Sequence, residues 1–291
     1  MGTMESPAPS VPATPGTPAG PAIKTVYAVG IGVAGGITGA LIGGGTGTVT
    51  VPSLDRFSRL RRAVIHGTAT MPNIAVAVVG ATTYWIHGGA LDLTMGVPLM
   101  IGGVTGATFG PRLVLRVPER ALRVAFVVVL AVAGTKLLAN ALDVGTLGGS
   151  ALIPPAARGS LSVLALGVAI GVVIGAWSAA LGLGGGMLVV PALVLLFGAG
   201  LHVAEGTSLM VMLPNSVAAA RAHIRQGTAS VPTGVRLAAG AVAGAVLGVF
   251  VALSLPGRSL GLFFGAFVLA MAVRELVRLR RLGARGATIG R

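Results

Sequence analysis

Residues 42–52 read IGGGTGTVTVP, and residues 181–191 read LGLGGGMLVVP. At a constant offset of 139, three glycines and the closing Val-Pro pair of the two stretches coincide without a gap. Glycines inside an apolar segment free backbone N–H and C=O groups from a helix, and hydrocarbon cannot satisfy these groups. Such a break must therefore lie against protein or a wet cavity. Paired glycine-broken segments at matching places in two halves indicate the binding site of a transporter.

The composition is that of a membrane protein. Of the 291 residues, 54% are hydrophobic and 10% are charged, and the mean hydropathy is +0.92. A soluble domain has about 25% charged residues. Apolar runs of roughly 20 residues, the length of a membrane span, recur between residues 27 and 277. The sequence thus predicts a multi-pass protein embedded in the lipid bilayer.

The ionisable residues exclude several classes of function. The net charge of +14 is carried by arginines in short loops and in the tail, which orients a membrane protein and does not indicate nucleic acid binding. The chain has no cysteine, and its 4 His and 7 acidic residues show no ligand spacing. We therefore predict no metal and no cofactor, and no enzyme activity.

An internal duplication organises the chain. Residues 32–52 and 171–191 share nine identities in 21 ungapped positions. Beyond Met71 an offset of 142 fits better, because it places Pro72 on Pro214 and Asn73 on Asn215. The predicted organisation is a disordered leader (1–21), a first transmembrane repeat (22–142), a linker (143–159), a second transmembrane repeat (160–282) and a basic tail (283–291).

The charge pattern predicts how the repeats are oriented. The fold class is an all-α polytopic membrane protein, in which each repeat has four transmembrane helices and one short broken element of re-entrant type, at 46–57 and 187–198. The long span at 63–85 is expected to be interrupted at Pro72. Counting the short elements as return segments places all the basic loops on one side, so the repeats are inverted relative to each other.

The second copy carries further motifs beside its glycine cluster. These are the block EGTSL at 205–209 and a basic turn formed by Arg225, Gln226 and Gly227. With LGLGGGMLVVP, this pattern resembles the TauE/SafE sulfite exporter family over about residues 24–280. The first copy departs at Thr46, where a further glycine is usual, and at 66–70, where a Ser would follow Gly-Thr. The resemblance implies an inner-membrane permease for sulfite, sulfoacetate or related organosulfur anions.

Glycines, hydroxyls and amides are the predicted substrate ligands. Backbone N–H groups at the ends of broken helices bind anions, and the helix dipole adds about half a positive charge. The alternatives are close helix packing for the glycines, helix caps for the hydroxyls and interhelical packing for the amides. The candidates are Gly43, Gly44, Gly45, Gly47, Thr68, Asn73, Gly184, Gly185, Gly186, Thr207, Ser208 and Asn215.

Two titratable residues are candidates for proton coupling. His66 and Glu205 are equivalent in the two repeats and stand at the entrances of corresponding helices. Histidine changes charge near neutral pH, and carboxylates within membranes often relay protons. The alternative is that Glu205 only favours a helix start. Lys136, five residues before Ala141, is expected to extend to the membrane interface.

The sequence therefore predicts a transporter that moves a small anion between the two broken elements by alternating access. An anion channel, a transporter of another small solute and a membrane scaffold without transport remain the alternatives. The substrate and the coupling ion are left open, and so is assembly into a homo-oligomer. The predicted location is the cell (inner) membrane, with both termini cytoplasmic.

The orientation can be tested directly. A reporter fused after Gly283 is expected on the cytoplasmic side, because this places the arginines of the tail inside with the other basic loops. A reporter active only on the cytoplasmic side measures this, and a fusion within the linker is the control, with the opposite result expected. A tail found outside contradicts the inverted repeats.

Overall fold

The computed structural model describes residues 23–87, 91–114, 119–143, 152–181 and 186–289. Within these ranges the chain is helical and contains no strand. The leader, residues 144–151 of the linker, Gly184 and Gly185 lie outside the described residues. The helices are α1 Thr25–Leu41, α2 Gly47–Phe57, α3 Arg62–His87, α4 Leu93–Val114, α5 Glu119–Ala141, α6 Leu161–Leu181, α7 Gly186–Phe197, α8 Leu201–Arg225, α9 Val231–Ser254 and α10 Gly257–Ile289, with a single 3₁₀ turn at Pro155–Ala157.

The all-α polytopic fold class is confirmed. Helices α3, α5, α6, α9 and α10 each contain a stretch that is long and apolar enough to cross a membrane, and α1, α4 and α7 are shorter apolar helices. Large apolar side chains are exposed along the helices, as Leu161 (83%) and Val132 (59%) show. Side chains of this kind are stable facing lipid and unfavourable facing water.

Helices of the two halves pack against each other. The most extensive contacts join α1 to α9 and α4 to α6. Both interfaces are built on glycines: a Cβ on Gly32 of α1 would collide with the carbonyl oxygen of Leu237, and a Cβ on Gly171 of α6 would lie 2.5 Å from that of Leu99. Small residues allow such close approach where no hydrophobic effect operates between helices. The first helix of each half, α1 or α6, thus packs on the fourth helix of the other half, α9 or α4. The opposite orientation of the two repeats in the membrane stays a prediction.

Two helices are half the length of a span. At 1.5 Å per residue, the 11 residues of α2 extend over about 16 Å and the 12 residues of α7 over about 18 Å, against a hydrocarbon thickness of about 30 Å. Gly43 and Gly45, between α1 and α2, have φ of 61° and 82°. Only glycine adopts such angles easily, so these residues end α1 where the sequence predicted a break.

The predicted interruption at Pro72 is wrong. Helix α3 continues through Pro72, and α8 continues through Pro214. A proline removes one helical hydrogen bond, but neighbouring helices compensate for that loss within a bundle, so the chain is not forced out of the helix. Pro52 and Pro191 likewise lie inside α2 and α7.

Helices α5 and α10 form a pair that is linked by polar side-chain contacts at both ends. Arg123 of α5 forms an ion pair with Glu275 of α10, and both side chains are largely buried. At the opposite end, the Arg258 Nε donates to the Ala141 carbonyl oxygen at 2.9 Å. These two helices contact each other far more than they contact the rest of the bundle.

Candidate substrate site

The first glycine cluster lies directly against the start of α7. The Ser208 hydroxyl of α8 is 2.7 Å from the Gly43 carbonyl oxygen and 3.1 Å from the Gly186 carbonyl oxygen. A Cβ on Gly186 would collide with the Gly43 oxygen, and the built Cβ of Gly44 lies 3.6 Å from Met187 Cα. The structure therefore brings Gly43, Gly44, Gly186 and Ser208 together, and we call this contact the glycine junction.

Asn73 supports the same junction from α3. Its Oδ1 accepts the Thr46 backbone N–H at 2.7 Å and the Thr46 hydroxyl at 2.8 Å. Both residues are buried. The built Cβ of Gly45 lies 3.1 Å from the same oxygen. The Asn73 carbonyl thus fixes the chain where α2 begins, while its amide group makes no hydrogen bond within the described residues.

Two helix N-termini point into the junction. Helix α2 begins at Gly47, which is buried, and α7 begins at Gly186. The first N–H groups of a helix have no partner within it, and the aligned peptide dipoles give this end about half a positive charge. In the first turn of α2, the Thr48 hydroxyl is also buried without a partner in the described part of the chain. Unpaired donors therefore lie here beside the carbonyl oxygens that the Ser208 hydroxyl reaches.

Thr68 and Thr207 lie in equivalent contacts outside the junction. Thr68 Oγ1 accepts the Ser230 N–H at 2.9 Å, and Thr207 Oγ1 accepts the Asp92 N–H at 2.9 Å. Ser230 and Asp92 each precede the fourth helix of the opposite half. Thr68 and Thr207 do not cap their own helices, because α3 begins at Arg62 and α8 at Leu201. Each hydroxyl accepts from the chain ahead of another helix and keeps a hydrogen with which to donate. A substrate contact of these two residues stays a prediction.

Asn215 is held differently from its repeat equivalent. It lies two turns beyond Ser208 on α8, where its side chain contacts Gly103 of α4. Its Oδ1 is buried and has no hydrogen-bond partner in the described residues. The position equivalent to Thr46, which pairs with Asn73, is Gly185, and a glycine has no hydroxyl to offer.

Glu205 lies beside the junction, while His66 lies about 10 Å before Asn73 along α3. The Tyr84 hydroxyl donates to Glu205 Oε2 at 2.6 Å, and the Glu205 side chain is fully buried with Oε1 unpaired. The built Cβ of Gly43 lies 3.0 Å from Glu205 Cα. His66 precedes Tyr84 by 18 residues on α3, a distance of about 27 Å. The two candidates for proton coupling are therefore at opposite ends of α3.

Sequence reasoning missed three residues of this region. Thr46 holds Asn73, Tyr84 holds Glu205, and Thr48 presents an unpaired hydroxyl. The signal for Thr46 was its departure from the glycine pattern of the second copy. Nothing in the sequence distinguished Tyr84, because its partner comes from a helix 121 positions further along the chain.

The comparison with protein families decides the assignment. The model of the sulfite exporter TauE/SafE family matches residues 6–137 and 166–290, which is most of the chain. The chain belongs to the TauE/SafE family. The suspected resemblance is thereby confirmed, and TauE/SafE proteins are membrane transporters. No curated protein matches the chain significantly, and no solved structure does.

The two asparagines provide a matched test of the junction. Replacing Asn73 by Ala leaves the buried Thr46 N–H and hydroxyl without an acceptor, and each unsatisfied buried group costs about 1–3 kcal/mol. Asn215→Ala is the control, because the Asn215 Oδ1 has no partner to lose. Unfolding of the purified protein in detergent is expected to show a clearly larger loss of stability for Asn73→Ala. Equal losses would show that the Thr46 contact does not support the fold.

Proposed function

We propose that this protein is a permease of the inner membrane that moves a small sulfur-containing anion, sulfite or an organosulfur anion such as a sulfonate or sulfoacetate. One observation carries the proposal: the N-termini of two half-length helices, α2 and α7, meet at the glycine junction. The family match supports sulfite or a related anion as the substrate.

The junction suits an anion because it offers donors without a fixed cation. Two helix dipoles and free N–H groups replace part of the hydration that the anion loses on entering the membrane. The glycines leave the backbone accessible, since they have no Cβ. The Thr48 hydroxyl and the Asn73 amide group add donors that have no partner within the described residues. Tetrahedral or pyramidal oxyanions can accept hydrogen bonds from several directions at once.

Alternating access is supported by the weakness of this contact. Across the junction the two halves are joined by the Ser208 hydroxyl and by glycine backbone atoms, and a typical hydrogen bond contributes only about 0.5–1.5 kcal/mol net. The α1–α9 and α4–α6 interfaces are much more extensive. Separation of Gly43 from Gly186 therefore breaks few hydrogen bonds, while the glycine-packed interfaces hold the halves together.

Transport can be measured with purified protein in vesicles. We expect saturable uptake of labelled sulfite that is accelerated by unlabelled sulfite or a sulfonate on the opposite side. Gly186→Ala is expected to reduce this flux by about tenfold or more, because the added Cβ collides with the Gly43 oxygen at the junction. Gly30→Ala is the control, since a Cβ at Gly30 meets nothing within 4 Å.

Three results would contradict the proposal. Flux that rises linearly with concentration and shows no acceleration from the opposite side indicates a channel. Absence of flux for sulfite, sulfonates and thiosulfate argues against an organosulfur transporter. Unchanged flux in Gly186→Ala would remove the junction from the substrate path.

Proton coupling is proposed for Glu205. A carboxyl group buried in a membrane protein is costly unless it is used, and the Glu205 Oε1 lacks a partner within the described residues. Its carboxyl group adjoins Tyr84, and its backbone adjoins the glycine junction, so a change of its protonation can act on the site. His66 lies near Arg62, His223 and Arg278, at the other end of α3, where it could complete a second step.

Replacing Glu205 by Gln tests this coupling. The amide keeps the shape and can still accept the Tyr84 hydrogen bond, but it cannot exchange a proton. We expect transport by Glu205→Gln to lose its dependence on pH, whereas Tyr84→Phe shifts that dependence without abolishing it. The readout in vesicles is the flux of a sulfonate between pH 5 and pH 9, because a sulfonate keeps its charge over this range. An unchanged pH profile in Glu205→Gln rejects proton coupling at this residue.

A further inference from the structure

A groove on the outside of the bundle is separate from the glycine junction. It has a volume of about 580 Å³ and runs between α5, α6 and α7. Its rim includes the exposed side chains of Val128, Val132 and Val173, and its floor includes the buried side chains of Ile174 and Leu188. All three helices contribute residues over roughly two turns, so the groove follows the helix axes for about 12 Å.

Lys136 is the single charged residue that lines this groove. It lies five residues before the end of α5, about 8 Å from that end, and Leu152, which precedes α6, lines the groove with it. No hydrogen bond or ion pair involves Lys136 among the residues that the structure describes. A lysine at this depth extends its ammonium group to the level of the headgroups. The groove therefore has a cationic end near the interface.

Trp177 marks the opposite end of the groove. It is about 24 Å along α6 from Leu161 and is only 6% exposed. Its ring packs against Phe126, with 5.4 Å between the ring centroids. Its indole N–H has no acceptor in the described part of the chain. The groove thus combines an apolar channel with donors and presents no carboxylate along its lining.

We propose that this groove is a binding site for one anionic phospholipid, whose acyl chain lies along α5, α6 and α7 and whose phosphate pairs with Lys136. The charge argues for this occupant. A zwitterionic lipid fills the channel equally well but brings no net negative charge to the lysine, whereas an anionic headgroup does. An apolar chain in the groove removes the rim valines from the disordered lipid around them. Pro191 and Leu195 of α7 also line the groove, so the bound lipid contacts the helix that begins at the junction.

The two tryptophans of the chain make the site measurable. Trp85→Phe leaves Trp177 at the floor of the groove as the only fluorescent indole. In vesicles, brominated acyl chains quench a tryptophan that they touch. We expect phosphatidylglycerol with brominated chains, diluted into phosphatidylcholine, to quench Trp177 with about fivefold higher apparent affinity than brominated phosphatidylcholine diluted into phosphatidylglycerol.

Matched variants separate the site from bulk lipid. Lys136→Gln is expected to remove the preference for phosphatidylglycerol, while Lys24→Gln, which changes the only other lysine, keeps it. Ala169→Phe narrows the groove without changing charge and is expected to weaken quenching by both lipids. Trp177→Phe leaves Trp85, which is 69% exposed, as a reporter of bulk lipid without a headgroup preference.

Three outcomes overturn the proposal. Equal quenching by the two brominated lipids, or a preference that survives Lys136→Gln, shows that the lysine does not select an anionic lipid. No quenching of Trp177 by either lipid shows that protein covers the groove, as a second copy of the chain would. Lys136→Arg distinguishes charge from side-chain identity and is expected to retain the preference.

Discussion

A backbone that leaves the helix inside a bilayer must find its hydrogen-bond partners in the protein. Hydrocarbon offers none, and each unsatisfied group costs several kcal/mol. At the first glycine break this need is met by two side chains, Ser208 from α8 and Asn73 from α3. The rest of the architecture follows from that requirement, because α3 and α8 must lie beside the half-length helices to supply those groups. Helix α9, which packs on α1, also packs on α3, and α4, which packs on α6, also packs on α8.

The two halves make some equivalent hydrogen bonds and some that have no equivalent in the other half. Thr68 and Thr207 make the same bond to the chain ahead of the opposite fourth helix. Ser208, by contrast, corresponds to Ala69, which has no hydroxyl, and Thr46 corresponds to Gly185. Each half thus supplies one polar residue that the other lacks. Under the proposed function, a substrate between the halves would meet an asymmetric set of groups, although the surrounding helices are paired.

Much of the fold could be predicted because it depends on local properties of the sequence. Apolar run length and glycine position gave helix bounds close to those of α4, at Leu93, and α7, at Gly186. The course of α3 through Pro72 could not be predicted, because it depends on neighbours that stabilise the helix after one bond is lost. The pairing of Tyr84 with Glu205 and that of Arg123 with Glu275 depend on helices far apart in sequence. At the candidate site, the glycine spacing predicted that the two breaks would lie together. The hydrogen bonds between Thr46 and Asn73 could not be predicted, because they join different helices.

The Ser208 side chain has a consequence for movement. A serine hydroxyl carries one hydrogen, yet two carbonyl oxygens lie within its reach, at 2.7 Å and 3.1 Å. Only one of them can receive that hydrogen at a time, and rotation about the Cβ–Oγ bond transfers it from one peptide to the other. When Gly43 and Gly186 separate, the Ser208 hydroxyl therefore need not be left without an acceptor inside the membrane. It can rotate and stay bonded to whichever carbonyl oxygen remains within reach. Ser208 is thus a rotatable contact between the two breaks and does not lock them together.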